Sequence, residues 1–279
     1  MAYKSLLSVM TDTKYADVVL EQGIALAHSE DAHFDVLCMG VDRTQTGYYY
    51  AGANAMVLQE TITRAQEEGA EVESYVKERL GRSDIRWGTE AGVAQLADIG
   101  RHVATRARFA DLTIMTQPYG KDRGAELEPV LEAALFEGHS PVLILPEDAK
   151  PVTAPKTISI AWNESPEAMS AVHAAMPMLQ GADTVHVVII NPPAHGPNRS
   201  DPGGMLSQYL ARHGVRAEIE VLAKTLPRVS DVLLRHAEDM NVDLIVMGAY
   251  GHSRFREAIL GGATRHMLEK AKLPVFMAH

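Results

Sequence analysis

The feature that most constrains this 279-residue chain is that it runs through one pattern twice. The apolar run Ser5–Met10 has a counterpart in Thr157–Trp162, and Phe34–Met39 has one in Val185–Ile190. Asp111–Met115 matches Asp243–Met247, and Pro141–Leu145 matches Pro274–Ala278. Repetition in the same order at nearly the same spacing is the signature of a duplicated unit. The polar, proline-rich stretch Pro146–Pro155 reads as the linker, giving domains 1–150 and 151–279.

Within each copy, short apolar runs alternate with segments of helical period. The helices read as Lys14–Ser29, Asn54–Leu80, Gly92–Arg108 and Glu126–Glu137 in the first copy. In the second they read as Pro166–Leu179, Gly204–His213, Arg228–Met240 and Thr264–Lys272. Strands without polar alternation are buried on both faces, which predicts α/β domains, each an open five-stranded parallel sheet with helices on both faces.

Composition narrows the function. The hydrophobic fraction of 46% and charged fraction of 22% are those of an ordinary globular protein. No apolar run approaches the roughly 18 residues of a membrane span, and the N-terminus reads as a strand rather than a signal peptide. The single cysteine, Cys38, lies inside an apolar run, as expected of an inert thiol in the cytoplasm. Net charge is −10, which argues against nucleic acid as a partner. The imbalance is all in residues 1–150, with 14 basic and 24 acidic residues, whereas 151–279 hold 12 of each. A polyphosphate would be better tolerated by the second copy.

That copy also carries the chemistry suited to one. The run Leu244–Met247 stops at Gly248, Gly251 follows, and the pair Gly261-Gly262 precedes a helix. Strand, glycine turn and glycine-led helix make a phosphate cradle, because free N–H groups at a helix N-terminus face an anion. Ser253 and Thr264 are nearby hydroxyl donors, Arg254 and Arg256 nearby cations, and His252 a further donor. The plainer reading of the same glycines is a turn and the end of a short helical segment.

Gly248, Gly251 and Gly261 have the G-x-x-G, nine residues, G spacing by which this stretch resembles the universal stress protein (UspA-like) family. The family's next residue is Ser or Thr, and here it is Gly262, with Thr264 the nearest substitute. The resemblance implies strand order 3-2-1-4-5, the adenine nucleotide alpha hydrolase-like arrangement, with a crevice where strands 1 and 4 end. It implies an adenine nucleotide there, ATP or AMP with Mg2+ as a possible companion. The residues so implicated are Trp162, Asn163 and Ser165 after the first strand, Ile190 after the second, and Met247 and Gly248 after the fourth. Gly251, His252, Ser253, Arg254, Gly261, Gly262, Ala263 and Thr264 complete the set. Family members usually have an Asp near Asn163. Asn163 and Ser165 also suit a helix cap, with Pro166 in the first helical position. The resemblance further implies pairing through the last strand, so two copies can mimic a dimer within one chain, and a homodimer of chains is a further level.

The first copy departs from this pattern. Thr116–Lys121 replaces the glycine turn, Pro118 removes a backbone donor, and Glu126, Glu128 and Glu132 would repel phosphate. It reads as a copy that has lost the nucleotide, serving as a scaffold or holding something uncharged or cationic. Of 12 histidines, none has metal-ligand spacing to another, so no metal site is expected. The phosphate-loop, dinucleotide and nucleophile-elbow motifs are missing, and Glu257 is the one acid between Gly248 and Gly262. Phosphoryl transfer wants a metal-holding carboxylate and a lysine there. The expectation is therefore a stress-response regulator that binds a nucleotide and signals to an unknown protein partner, with weak ATPase activity at most. The alternatives are a nucleotide-free scaffold and a slow ATP hydrolase.

Overall fold

The computed structural model describes residues 2–43, 55–121, 123–192, 201–249 and 262–279. Packing divides the chain into two units, Tyr3–Ser140 and Pro141–His279.

In the first unit the order is β1 (Ser5–Met10), α1 (Ala16–Glu30), β2 (His33–Asp42), α2 (Ala55–Leu80), β3 (Arg86–Gln95), α3 (Ile99–Ala107), β4 (Leu112–Thr116) and α4 (Leu127–Glu132), which runs on as a π-helical turn, Ala133–Glu137. The strands lie in the order β3-β2-β1-β4, all parallel. Val9, Leu37 and Ile114 exemplify a core of apolar runs buried on both faces of the sheet. The helix expected over Gly92–Arg108 begins only at Ile99, because Gly92–Gln95 continues β3 in register with Met39–Asp42 of β2. An alanine-rich segment of ambiguous period was claimed by the sheet edge.

In the second unit the order is β5 (Val142–Leu145), β6 (Thr157–Ala161), α5 (Pro166–Ala174), α6 (Met176–Gly181), β7 (Thr184–Ile190), α7 (Gly204–Arg212), β8 (Ala217–Leu222), α8 (Val229–Asp239), β9 (Leu244–Gly248), α9 (Ala263–Lys270) and β10 (Val275–Ala278). The strands run β5-β10-β9-β6-β7-β8. From β8 back to β10 this is the 3-2-1-4-5 order, all parallel. This unit also takes in β5, the last strand of the first repeat. β5 pairs antiparallel with β10, Ile144 opposite Val275 and Val142 opposite Met277. Counted by repeat, with β5 the fifth strand of the first copy, each copy supplies the five strands expected. A last strand buried on both faces but bonded on one edge leaves unpaired backbone groups, and β5 supplies their partners.

One device recurs in both units. The Asp before the fourth strand reaches back to the start of the first: Asp111 Oδ2 accepts from the backbone N–H of Lys4 (2.7 Å) and Ser5 (2.9 Å). Asp243 Oδ2 accepts from Lys156 (2.8 Å) and Thr157 (2.9 Å). Each Asp also donates its own N–H at 2.8 Å, to the carbonyl of Ser5 or Thr157. Three bonds thus fix the register of the central pair at its amino end. The carboxyl ends, where the strand order reverses, are left to form a crevice.

Candidate functional site

In the second unit the register places Ala161 beside Met247, so Trp162 and Gly248 leave the sheet side by side at the switch point. Trp162 is still tied to the sheet, donating to the Val188 carbonyl at 2.9 Å, and its side chain is half-buried. The chain then turns through Glu164 at φ 61°, a left-handed conformation seldom taken by a residue with a Cβ. Asn163 Oδ1 accepts from the Ser165 N–H at 3.2 Å and Ser165 Oγ from the Ala168 N–H at 3.1 Å, with Pro166 opening the helix. The capping that the sequence suggests is formed. Asn163 remains exposed beside it.

Gly248 has a second reason to be glycine. A Cβ there would lie 2.5 Å from the Ala168 nitrogen and 2.6 Å from the Glu167 carbonyl carbon, so the first turn of α5 needs the space. Ile190 ends β7 half-buried, and Asn191 follows at φ 49° while donating to the Leu222 carbonyl at 2.9 Å. Met247 is buried. Beyond Gly248, Ala249 is fixed by its N–H to the Ala278 carbonyl (2.8 Å) and by its carbonyl to His279 Nδ1 (2.9 Å).

Gly251, His252, Ser253, Arg254 and Gly261 lie outside the described residues. On the far side of them Gly262 occupies the N-cap of α9, and its carbonyl accepts from the His266 N–H at 3.2 Å. A glycine cap brings no side-chain acceptor, so none of the first helical N–H groups is bonded by a side chain at that position. Ala263 is the first helical residue. Thr264 is buried at 3% exposure. The helix is held from the side: His266 Nδ1 lies 2.9 Å from Ser230 Oγ and 3.5 Å from Asp231 Oδ1, both on α8. Spacing within one segment gave no hint of that tie.

The corresponding place in the first unit is built differently. The residue at the N-cap of α4 is Glu126, 1% exposed. Its Oε1 accepts from Arg43 Nη2 at 2.8 Å, and Arg43 also reaches Glu68 at 3.0 Å. Burial works against the Arg43 charge, but the bonds to Glu126 and Glu68 raise its pKa above the ordinary guanidinium value. The guanidinium of Arg123 stacks 3.9 Å over the Tyr15 ring, beside a crevice lined by Thr11, Asp12, Thr116 and Leu127. The acid that the sequence marks as hostile to phosphate is thus fixed by a cation from the end of β2. Cys38 is buried, and desolvation, then the charge of Glu73, pushes its thiol up to about 12. Among the described residues no helix is long and apolar enough to cross a membrane.

Comparison with known proteins agrees with this geometry. Residues 155–279 match the family model described as the universal stress protein family. A universal stress protein of Synechocystis sp. is 31% identical over 91 residues, 33% of this chain and 31% of the relative. One of Methanocaldococcus jannaschii is 36% identical over 45 residues, 16% of this chain and 28% of the relative. The chain therefore spans about a third of the length of the curated relatives it matches. The crystal structure of a universal stress protein from Archaeoglobus fulgidus superposes with a TM-score of 0.75 at 16% identity, covering 98% of this chain and 96% of the other, which shows a shared fold. Residues 155–279 are a universal stress protein domain.

Proposed function

We propose that the chain is a two-domain stress-response regulator, 1–150 and 151–279, whose second domain binds an adenine nucleotide at the crevice between β6 and β9. The observation that carries this is the pairing of Ala161 with Met247, which sets Trp162–Ser165 beside Gly248 where the strand order reverses. Open parallel sheets bind ligands at that point. The glycine-led N-terminus of α9 follows in sequence, and the positive end of its dipole suits phosphate. Asn163, exposed at the rim, is the side chain offered to the ribose or base. Occupancy of the crevice changes a surface read by a partner protein. The first domain, with Glu126 in place of an anion, acts as its scaffold.

Calorimetric titration of ATP, ADP and AMP, each with Mg2+, into the full chain tests this. A sample is first denatured and assayed for nucleotide carried through purification. One site per chain, lost on changing Gly251 and Gly261, is the expected result. Neither binding nor carried nucleotide would leave a scaffold that has kept the fold and dropped the ligand. Turnover unaffected by the Gly251 change would argue against an ATP hydrolase working at this site.

A further inference from the structure

Away from the crevice, the β7–β8 edge of the second unit carries a cluster that nucleotide binding does not use. The register puts His186 opposite Glu218 and Val188 opposite Glu220, so His186, Glu218 and Glu220 share one face of the pleat. One side-chain donor atom from each of these three lies within 4.8 Å of the others. His186 Nδ1 is 2.6 Å from Glu220 Oε1. From α8, His236 places Nε2 2.7 Å from Glu220 Oε2, and the two imidazoles meet edge to face with centroids 5.8 Å apart.

The two histidine side chains are only 4% and 8% exposed, yet the Nδ1 of each makes no hydrogen bond. For His186 the Glu220 oxygen is near but out of line for an N–H bond, so closeness here is not satisfaction. A buried polar nitrogen without a partner is costly and calls for an explanation. A lone pair on such a nitrogen, close to the Glu220 carboxylate and clustered with Glu218, completes a donor set for a cation.

We propose that His186, Glu218 and Glu220 bind a borderline divalent cation of the Zn2+ class. The imidazole nitrogen selects against Mg2+ and Ca2+, which prefer all-oxygen sites, and the two carboxylates balance the double charge. Three protein ligands leave a fourth position for water. Glu218 is exposed and β8 ends the sheet, so the ion enters from solvent. His236 donates Nε2–H to Glu220 and orients it as an outer-shell partner. Metal bonds of about 2.0–2.2 Å in a tetrahedron set ligand atoms about 3.3–3.6 Å apart. Glu220 therefore moves by roughly 1 Å from His186 when the ion enters.

The test uses the full chain, stripped by chelator and free of nucleotide, titrated with Co2+ as the visible probe and then with Zn2+. One Co2+ per chain is expected, with a d–d band bleached by one equivalent of Zn2+. Glu218→Gln, at an exposed position that leaves folding intact, weakens Co2+ binding at least about tenfold, and His236→Gln weakens it about 10–100-fold. His186→Gln removes the band; circular dichroism checks its fold, and Glu218→Gln carries the test if that variant misfolds. No band and no heat with the wild-type chain, or unchanged affinity in Glu218→Gln, overturns the proposal.

Discussion

The helix after the fourth strand starts on opposite chemistry in the two halves: Glu126 stands at its N-cap in the first, Gly262 in the second. In the first half the anion is part of the protein. A buried carboxylate at the helix start meets Arg43, a cation delivered by the end of β2. In the second half the glycine brings no side chain and no charge to the helix start. On the proposed reading, one fold meets the same helix end with an internal ion pair or reserves it for a ligand, and the choice rests on very few residues.

What the halves share is the first thing to challenge. The two aspartate staples have the same bonds at nearly the same lengths, so Asp111→Ala and Asp243→Ala should destabilise their own halves equally. Each loses two charge-assisted bonds to backbone N–H groups at an exposed site, about 3 kcal/mol at the lower end of roughly 1.5–3 kcal/mol per bond. The two tryptophans, Trp87 on β3 and Trp162 at the end of β6, report on the halves separately in single-tryptophan backgrounds during urea unfolding. Markedly unequal losses would mean that the repeated device does different work in the two units.

The difference comes next. Arg43→Met strands the Glu126 carboxylate at 1% exposure, and about 2 kcal/mol of first-half stability should go, less than for a wholly buried pair because Arg43 is itself half exposed. Adding Glu126→Gln should restore most of the loss, since a neutral amide needs no counter-ion. If Arg43→Met unfolds no earlier in urea than the wild type, the internal anion is not held as the contacts suggest.

How far these features could be read beforehand varies with their range. Duplication, parallel strands and the reversal of order come from apolar runs and repeated spacing, which are local. The Ser165 cap and Pro166 are local as well. The extent of β3 was not legible, because Gly92–Gln95 is decided by its pairing with β2 rather than by its own period. The β5–β10 pair joins segments far apart in sequence, and only the family resemblance, which implies pairing through the last strand, pointed to it. Glu126 was legible as an acid but not as the partner of Arg43, 83 positions away. Gly248 was read for phosphate, while the geometry adds a packing reason in α5. His186 and His236 are 50 residues apart, so no search for ligand spacing along the chain could join them to Glu218 and Glu220.

Transplanting the first half's chemistry tests the comparison in the second. Gly262→Glu puts a carboxylate at the N-cap of α9, without an arginine placed to meet it as Arg43 meets Glu126. If phosphate is held there, ATP affinity in calorimetry should fall at least about tenfold, near 1.4 kcal/mol. Affinity unchanged by that charge would place the phosphates elsewhere and undo the reading of α9 as the anion-facing helix.

The smallest effect is the most discriminating. Gly262→Ser restores the hydroxyl that the family pattern carries at this position. As a cap alone, serine improves on glycine by only a few tenths of a kcal/mol, which should appear as a barely raised melting temperature without ligand. Were the hydroxyl also to bond a phosphate oxygen, ATP affinity should rise about five- to tenfold, since a hydrogen bond to a charged group contributes more, about 1.5 kcal/mol or less here with water competing. The two roles separate in one protein, because the cap acts on the free chain and the phosphate bond only on the bound one. A raised melting temperature with no gain in affinity would mean that Gly262 caps the helix and takes no part in the site, and the contrast with Glu126 would then be one of helix ends rather than of ligand chemistry.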